Sequence, residues 1–238
     1  MKGIFITGTD TGSGKTLIAG LLARYMIEKG YKVITQKWVQ TGCADFKSTD
    51  IAMHLKIMAR REEDIKDCLG HVMPYVFKTA SSPHLASKIE NKKIDPCKII
   101  KSFKALARKF DFVIAEGSGG ALAPLTEKNL MIDIAKKLDL PVLVVAQNKL
   151  GAINHTLLTV EALRKRDIKI LGIVFNNLKG ENEIVLKDNP RIIKALSGGN
   201  IFGILPWSKN IKSLKYEFAV MGEKICETIT KINGLKKT

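Results

Sequence analysis

"TGTDTGSGKT", Thr7 to Thr16, is the stretch on which the reading of this chain turns. It follows the apolar run "KGIFI" and precedes "LIAGLLARYMIEKG", whose apolar residues recur at helical spacing and stop at Gly30. A glycine-rich turn between a buried strand and a helix gathers backbone N–H groups and a helix N-terminus around one point, which suits a phosphate. Gly12 and Gly14 allow a tight turn and close approach of backbone to ligand. Lys15 can reach β- and γ-phosphates, and the Thr16 hydroxyl can ligate Mg²⁺. The standard spacing, G-x-x-x-x-G-K-[ST], would put its first glycine at position 9, whereas this chain has Thr9 there and Gly8 one step early. A chance glycine cluster is the plain alternative; the strand, G-K-T and helix context argues against it.

Outward from the loop, strand-like and helix-like segments alternate. "YKVITQKWV" reads as a second strand, and "STDIAMHLKIMARR" as a helix capped by Ser48 or Thr49. A less regular stretch punctuated by Pro74, Pro83 and Pro96 leads to the helical "PCKIIKSFKALARKF". Strands "DFVIAEG", "PVLVVAQ", "IKILGIVFNN" and "IFGILPW" then alternate with helices "NLMIDIAKKLDL", "INHTLLTVEALRKRD" and "NPRIIKALSGG". A last helix is predicted around "YEFAVMGEKICETITKI". Most of these strands are wholly apolar, as strands buried on both faces are. The expected fold is α/β: a P-loop NTPase-like, doubly wound, mostly parallel sheet with helices on both faces. The 238 residues suit one domain over 1–238.

The formal charge of +16 raises the possibility of nucleic acid. Lysines and arginines alternate with apolar and acidic residues, however, as in "LKIMARR" and "LRKRDIKI", and so read as the wet faces of amphipathic helices. No RNA-binding aromatic signature or zinc-finger spacing accompanies them, so nucleic acid is not expected as the ligand; a positive field also favours small anions. Cys43, Cys68, Cys97 and Cys226 are scattered and read as free thiols of a reducing compartment. Nothing resembles a signal peptide or a membrane span, so the expectation is a cytoplasmic protein without membrane attachment.

In doubly wound sheets ligands collect at the carboxyl ends of the strands. Those ends hold Lys37 and Thr41 in "QKWVQTG", Glu116 in "AEGSGG", the stretch 148–154 in "QNKLGAIN", and Asn176 with Asn177. Asp50 comes early in the helix after the second strand. A strand-end carboxylate followed by "GSGG" suits Mg²⁺ coordination beside closely approaching backbone.

"GTDTGSGKT", "K-x-V-Q-T-G", "AEGSGG", "NKLGAINHTLLT" and "NN…LPW" resemble, in order and spacing, the dethiobiotin synthetases. The resemblance runs from Gly3 to about Trp207. It implies a homodimer of P-loop subunits that uses ATP, Mg²⁺ and CO2 to close a ureido ring on 7,8-diaminopelargonate. In that chemistry a substrate amine captures CO2 as a carbamate, a carbamate oxygen attacks the γ-phosphate, and the neighbouring amine displaces phosphate. Two anions held close together require neutralising cations. The resemblance implies Lys15 and Lys37 for this role, with Lys37 between carbamate and γ-phosphate. It implies Thr11 and Thr41 at the amine or carbamate, and Thr16, Asp50 and Glu116 at the metal. For the nucleotide it implies Gly12, Ser13, Gly14, Lys15, Thr16, Leu17, Asp50, Glu116, Gly117, Ser118, Gly119, Asn176, Asn177, Leu205, Pro206 and Trp207. Asn176 would pair with adenine, and Pro206 and Trp207 would flank the base. The amides around Gly151, with Asn154, would bind the carboxylate tail of substrate held in the partner subunit; Asn154 could equally be a simple helix cap. His155 is read as structural.

Two residues depart from the family's pattern. Trp38 stands where a proline usually follows the active-site lysine, and Gly12 where some members carry an acid. The competing class is a partition-type P-loop ATPase, whose loop, K-G-G-x-G-K-T, carries an early lysine; here that neighbourhood is Thr9, Asp10 and Thr11. A cobyric-acid-type amidotransferase would need a glutaminase domain for which the chain is too short, and a small-molecule kinase is a more distant alternative.

Overall fold

The computed structural model describes residues 2–43 and 48–234; of the domain expected over 1–238, residues 1, 44–47 and 235–238 lie outside the described residues. The chain runs β1 (Gly3–Gly8), α1 (Lys15–Glu28), β2 (Val33–Lys37), β3 (Val39–Gln40) and α2 (Thr49–Met58). A 3-10 turn at Glu62–Cys68 is followed by α3 (Leu69–Val72), β4 (Tyr75–Val76), α4 (Pro83–Ile89) and α5 (Pro96–Lys109). The regular alternation then resumes with β5 (Phe112–Gly120), α6 (Met131–Lys137), β6 (Val142–Asn148) and α7 (Ala152–Arg164). It ends with β7 (Ile170–Asn177), α8 (Glu183–Ser197), β8 (Ile201–Leu205) and α9 (Ile211–Asn233).

Six strands form one sheet in the order β2-β5-β1-β6-β7-β8, every pairing parallel. β1 lies inside it and is buried along its whole length, which is why it can be apolar at every position. Side chains alternate between two cores. Phe5 faces the layer that includes α5, α6 and α7, whereas Ile4 and Ile6 face α1 and α9. The connection leaving β1 runs outward to β2, while the one leaving β5 crosses to β6 on the other side of β1. That reversal places the loop after β1 in the crevice where such sheets bind ligands.

Among the boundaries that differ from expectation, three have a visible physical cause. The second strand divides at Trp38: β2 pairs with β5, while β3 turns away to pair with β4. The Ser118 hydroxyl donates to the Val39 carbonyl and so closes the place where β5 might have continued that pairing. The helix expected from Asn189 begins at Glu183, capped by Asn182, and carries Pro190 inside it. A proline there leaves the carbonyl four residues earlier without its helical donor. Asn148 supplies one, its Nδ2 lying 2.9 Å from the Leu186 oxygen. The last helix likewise starts earlier, at Ile211, because the Asn210 side chain caps it.

Candidate active site

The early glycine is explained by what lies behind the loop. A Cβ on Gly8 would stand 2.1 Å from Ser13 Oγ, 2.8 Å from the Asp10 carbonyl and 3.0 Å from Lys15 Nζ. The loop folds back over the end of β1, so position 8 has no room for a side chain. Thr9, where the standard motif has glycine, instead accepts the Gln147 backbone N–H with its hydroxyl at 3.4 Å. Gly12 and Gly14 take the left-handed backbone at φ +72° and +97°, a conformation glycine adopts at little cost. Lys15 curls back over the loop, its Nζ donating to the Asp10 carbonyl at 2.9 Å. Burial, and then the nearby charge of Lys37, lower its ammonium to about 8.

The second part of the site is built from paired strand ends. Lys37 and Glu116 are register partners on β2 and β5. Lys37 Nζ lies 2.9 Å from Glu116 Oε1, 2.9 Å from the Gly117 carbonyl and 2.6 Å from Asp50 Oδ2. Glu116 Oε1 also accepts the Thr16 hydroxyl at 2.9 Å, which ties the phosphate loop to β5. Burial works against both charges, but the two carboxylates hold the Lys37 ammonium above its usual range. Likewise Lys37, then His54, hold the buried Glu116 carboxyl well below the usual carboxylate range. The ion pair is therefore fully formed at neutral pH.

Trp38 does not disturb this arrangement. Unlike a proline it has a backbone N–H, which donates to the Glu116 carbonyl at 3.3 Å and extends the β2–β5 pairing past Lys37. Its indole is fully buried, stacked on Phe5 with centroids 4.4 Å apart, and Nε1 donates to Gln36 Oε1 at 3.0 Å.

A cavity of about 790 Å³ joins the parts. Thr11, Gly12, Gly14, Lys15, Thr16, Leu17, Lys37, Thr41, Asp50, Glu116, Ser118 and Gly119 all line it. Ala80, Ser81, Ser82 and Pro83 line it as well, a stretch of which sequence reasoning used Pro83 only as punctuation. Gly117 contributes its carbonyl to Lys37, and Ser13 lies fully buried beneath the loop with its hydroxyl unpartnered. Sequence reasoning also missed His54, which is fully buried with Nε2 2.9 Å from Glu116 Oε2. Its spacing from Asp50, one helical turn, was the available signal.

The remaining expected residues do not line this cavity. Asn176 reaches the back of the loop and donates through Nδ2 to the Ser13 carbonyl at 3.2 Å. The Asn177 carboxamide oxygen accepts from Asn148 Nδ2 at 2.8 Å. Leu205 is buried in the core and can offer a base only its backbone, while Trp207 is exposed with Lys179 Nζ 5.4 Å from its ring centre. Gly151 caps α7 at φ +87°, and Asn154 is exposed and caps nothing. Among the described residues no group of three or more His, Cys, Asp or Glu side chains is placed to hold a metal by itself. None of the helices there is long and apolar enough to cross a membrane.

A parallel sheet with a glycine-rich G-K-T loop at its switch point defines a P-loop nucleotide-binding protein. The family model of an AAA domain matches residues 2–214. The chain is 42% identical over 152 residues to the ATP-dependent dethiobiotin synthetase BioD 2 of Haemophilus influenzae, covering 63% of this chain and 78% of that one. It is 36% identical over 225 residues to the ATP-dependent dethiobiotin synthetase BioD of Clostridium perfringens, covering 93% and 97%. The chain belongs to the ATP-dependent dethiobiotin synthetase family. Solved structures similar to it include the MinC:MinD cell division complex of Aquifex aeolicus, at TM-score 0.57 and 15% identity over 100% of this chain and 98% of that one. Another is pNOB8 ParA bound to nonspecific DNA, at TM-score 0.60 and 14% identity over 99% of both chains. At such identities the likeness is one of fold alone, which leaves the partition-type alternative as a distant structural relation.

Proposed function

We propose that this chain carboxylates 7,8-diaminopelargonate with CO2 and closes its ureido ring at the expense of ATP, giving dethiobiotin, ADP and phosphate. As a dethiobiotin synthetase it is an ATP-dependent cyclo-ligase of biotin biosynthesis. The observation that carries the finer reading is the placement of Lys37. Its ammonium sits on the cavity wall close enough to Lys15 to depress that lysine, in a space also lined by the phosphate loop, Thr41 and Ser81. A carbamate in that space and a γ-phosphate on the loop would meet across these two cations, which offset their mutual repulsion.

Thr16 Oγ1, Glu116 and Asp50 offer the hard oxygen donors that suit Mg²⁺ and would hold it beside the phosphate loop. Bound there, the ion would supply charge neutralisation at the transferring phosphoryl group. An ion held there would compete with Lys37 for Glu116 Oε1 and Asp50 Oδ2, and an ammonium displaced from them would be available to the carbamate. Thr11 and Thr41 hydrogen-bond the amine or carbamate end in this reading, and Ser118 and Gly119 line its edge. Ser13, Leu17 and Gly117 belong to the nucleotide side, with Asn176, Asn177, Leu205, Pro206 and Trp207 around the base.

The same proposal makes the working unit a homodimer built from this P-loop domain. Its support is the start of α7: an N-terminus without a side-chain cap, outside the cavity, preceded by Leu150 at 80% exposure and with Leu158 at 55% further along the same helix. The amides at Gly151 and the Asn154 carboxamide would bind the carboxylate of substrate held by the partner.

The experiment is phosphate release from ATP with and without diaminopelargonate and bicarbonate. Release that depends strictly on both supports the reaction; release without either points to a simple ATPase and overturns it.

A further inference from the structure

Asp50 and His54 lie one turn apart on α2, and between them they grip the Lys37–Glu116 pair. Asp50 Oδ2 is 2.6 Å from Lys37 Nζ, Lys37 Nζ is 2.9 Å from Glu116 Oε1, and His54 Nε2 is 2.9 Å from Glu116 Oε2. A histidine that merely fills a core has its ring nitrogens satisfied by hydrogen bonds. Here neither nitrogen of a wholly buried ring makes one, and the Glu116 Oε2 it approaches has no other hydrogen-bond partner. The approach is too oblique for a hydrogen bond in this arrangement, but at 2.9 Å a small turn of either side chain makes one.

We propose that His54 is a positioning residue for Glu116. It holds Oε2 so that Oε1 stays turned toward Thr16, at the moment when Lys37 withdraws and the carboxylate must serve a cation instead. This rests on the metal site of the proposed function. Among the described residues Glu116 Oε1 has two partners, Thr16 and Lys37, whereas Oε2 has only the imidazole. Once Lys37 leaves, the imidazole is the contact that remains on Oε2. The remaining partner, the Thr16 hydroxyl, is needed at the metal itself. A ligand whose orientation is fixed by a hydrogen-bond partner loses about 10–100-fold in metal affinity when that partner is removed.

The test uses Mn²⁺ as probe, its binding to the full-length protein with a non-hydrolysable ATP analogue followed by electron paramagnetic resonance. Thermal melts confirm that each variant is folded. His54→Leu should weaken Mn²⁺ about tenfold or more while affinity for the analogue without metal stays within about threefold. His54→Gln, which keeps a donor of similar reach, should return Mn²⁺ affinity to within about threefold of wild type. If His54→Leu does not fold, His54→Met takes its place in the comparison. A folded Leu or Met variant that binds Mn²⁺ like wild type would make His54 purely a packing residue, as would a folded Gln variant that recovers nothing. Wild-type protein that binds the analogue but no Mn²⁺ would overturn the metal reading itself, and this inference with it.

Discussion

Lys37 and Glu116 are register partners on neighbouring parallel strands, and their side chains meet at 2.9 Å on the same side of the sheet. Parallel pairing presents residues at the same register to the same face, so strand topology alone brings the cation and the carboxylate together. A buried pair of this kind is a poor source of net stability, because two desolvated charges must first be offset by their attraction. Its place at a cavity wall, with each partner also bound to a residue of another element, is better explained by chemistry that uses the two groups separately.

Lys37→Gln tests that explanation. The substitution leaves Glu116 and Asp50 without their shared cation, and removing one partner of a buried pair costs about 3–5 kcal/mol. Urea unfolding should show that loss, with part of it recovered when Mg²⁺ and ATP are added. Affinity for ATP should stay within about tenfold, about 1.4 kcal/mol, while ring closure falls much further. Loss of ATP binding with ring closure intact at saturating ATP would make Lys37 a nucleotide ligand only.

Lys15 should couple nucleotide binding to proton uptake. In the free protein burial and Lys37 lower its ammonium to about 8, against an ordinary value near 10.5. The unfolded chain therefore binds more protons between these two values, and this group's contribution makes the free protein more stable as pH rises across that window. A bound triphosphate favours the charged form and raises the lysine again. ATP should then bind best below about pH 8 and lose up to about tenfold per pH unit above it. At pH 9 calorimetry in buffers of different ionisation enthalpy should find close to one proton taken up per ATP, and none in Lys15→Met.

Gly8→Ala should uncouple fold from nucleotide. The added Cβ would meet Ser13 Oγ at 2.1 Å and the backbone carbonyl of Asp10 at 2.8 Å, so the loop must move rather than a flexible side chain. The sheet should persist by circular dichroism while ATP affinity falls by at least about 100-fold, about 2.7 kcal/mol. Gly12→Ala is the milder control. There the nearest atom would be Gln147 Nε2 at 3.5 Å, leaving only the left-handed backbone penalty of about 1–2 kcal/mol. Equal effects from the two would mean that packing behind the loop is not what the early glycine serves.

A heterodimer separates the two chains of the proposed shared site. Lys15→Ala should reduce turnover by about three to five orders of magnitude, the range for a cation at a transferring phosphoryl group. Asn154→Asp places a negative charge where the substrate carboxylate would lie. If Lys15 and Asn154 of one site come from opposite chains, each homodimer is inactive, but a mixed dimer has one site with both defects and one with neither. Subunit exchange should then restore up to about half of wild-type turnover per dimer. Well-formed heterodimers with no activity would place both residues in one chain's site.

The alternating apolar runs, read from the sequence by itself, determined that this chain forms a parallel sheet wrapped by helices. G-K-T after the first strand located the phosphate loop, and Lys37, Thr41 and Glu116 were legible because strand ends are where such sheets bind. These are local signals, carried by neighbours in the chain. Only the tertiary structure decided why glycine stands at position 8, since the atoms that exclude a side chain there come from the loop folding back. Only it showed that Trp38 preserves the site: the backbone donor that proline lacks and the stacking on Phe5 depend on β2 lying beside β5. Pro190 could sit inside a helix because Asn148, at the end of β6, serves the carbonyl it leaves free. His54 was hidden for the same reason. A histidine within a helical apolar pattern reads as core until the opposing Glu116 carboxylate, 62 residues further along the chain, is placed against it.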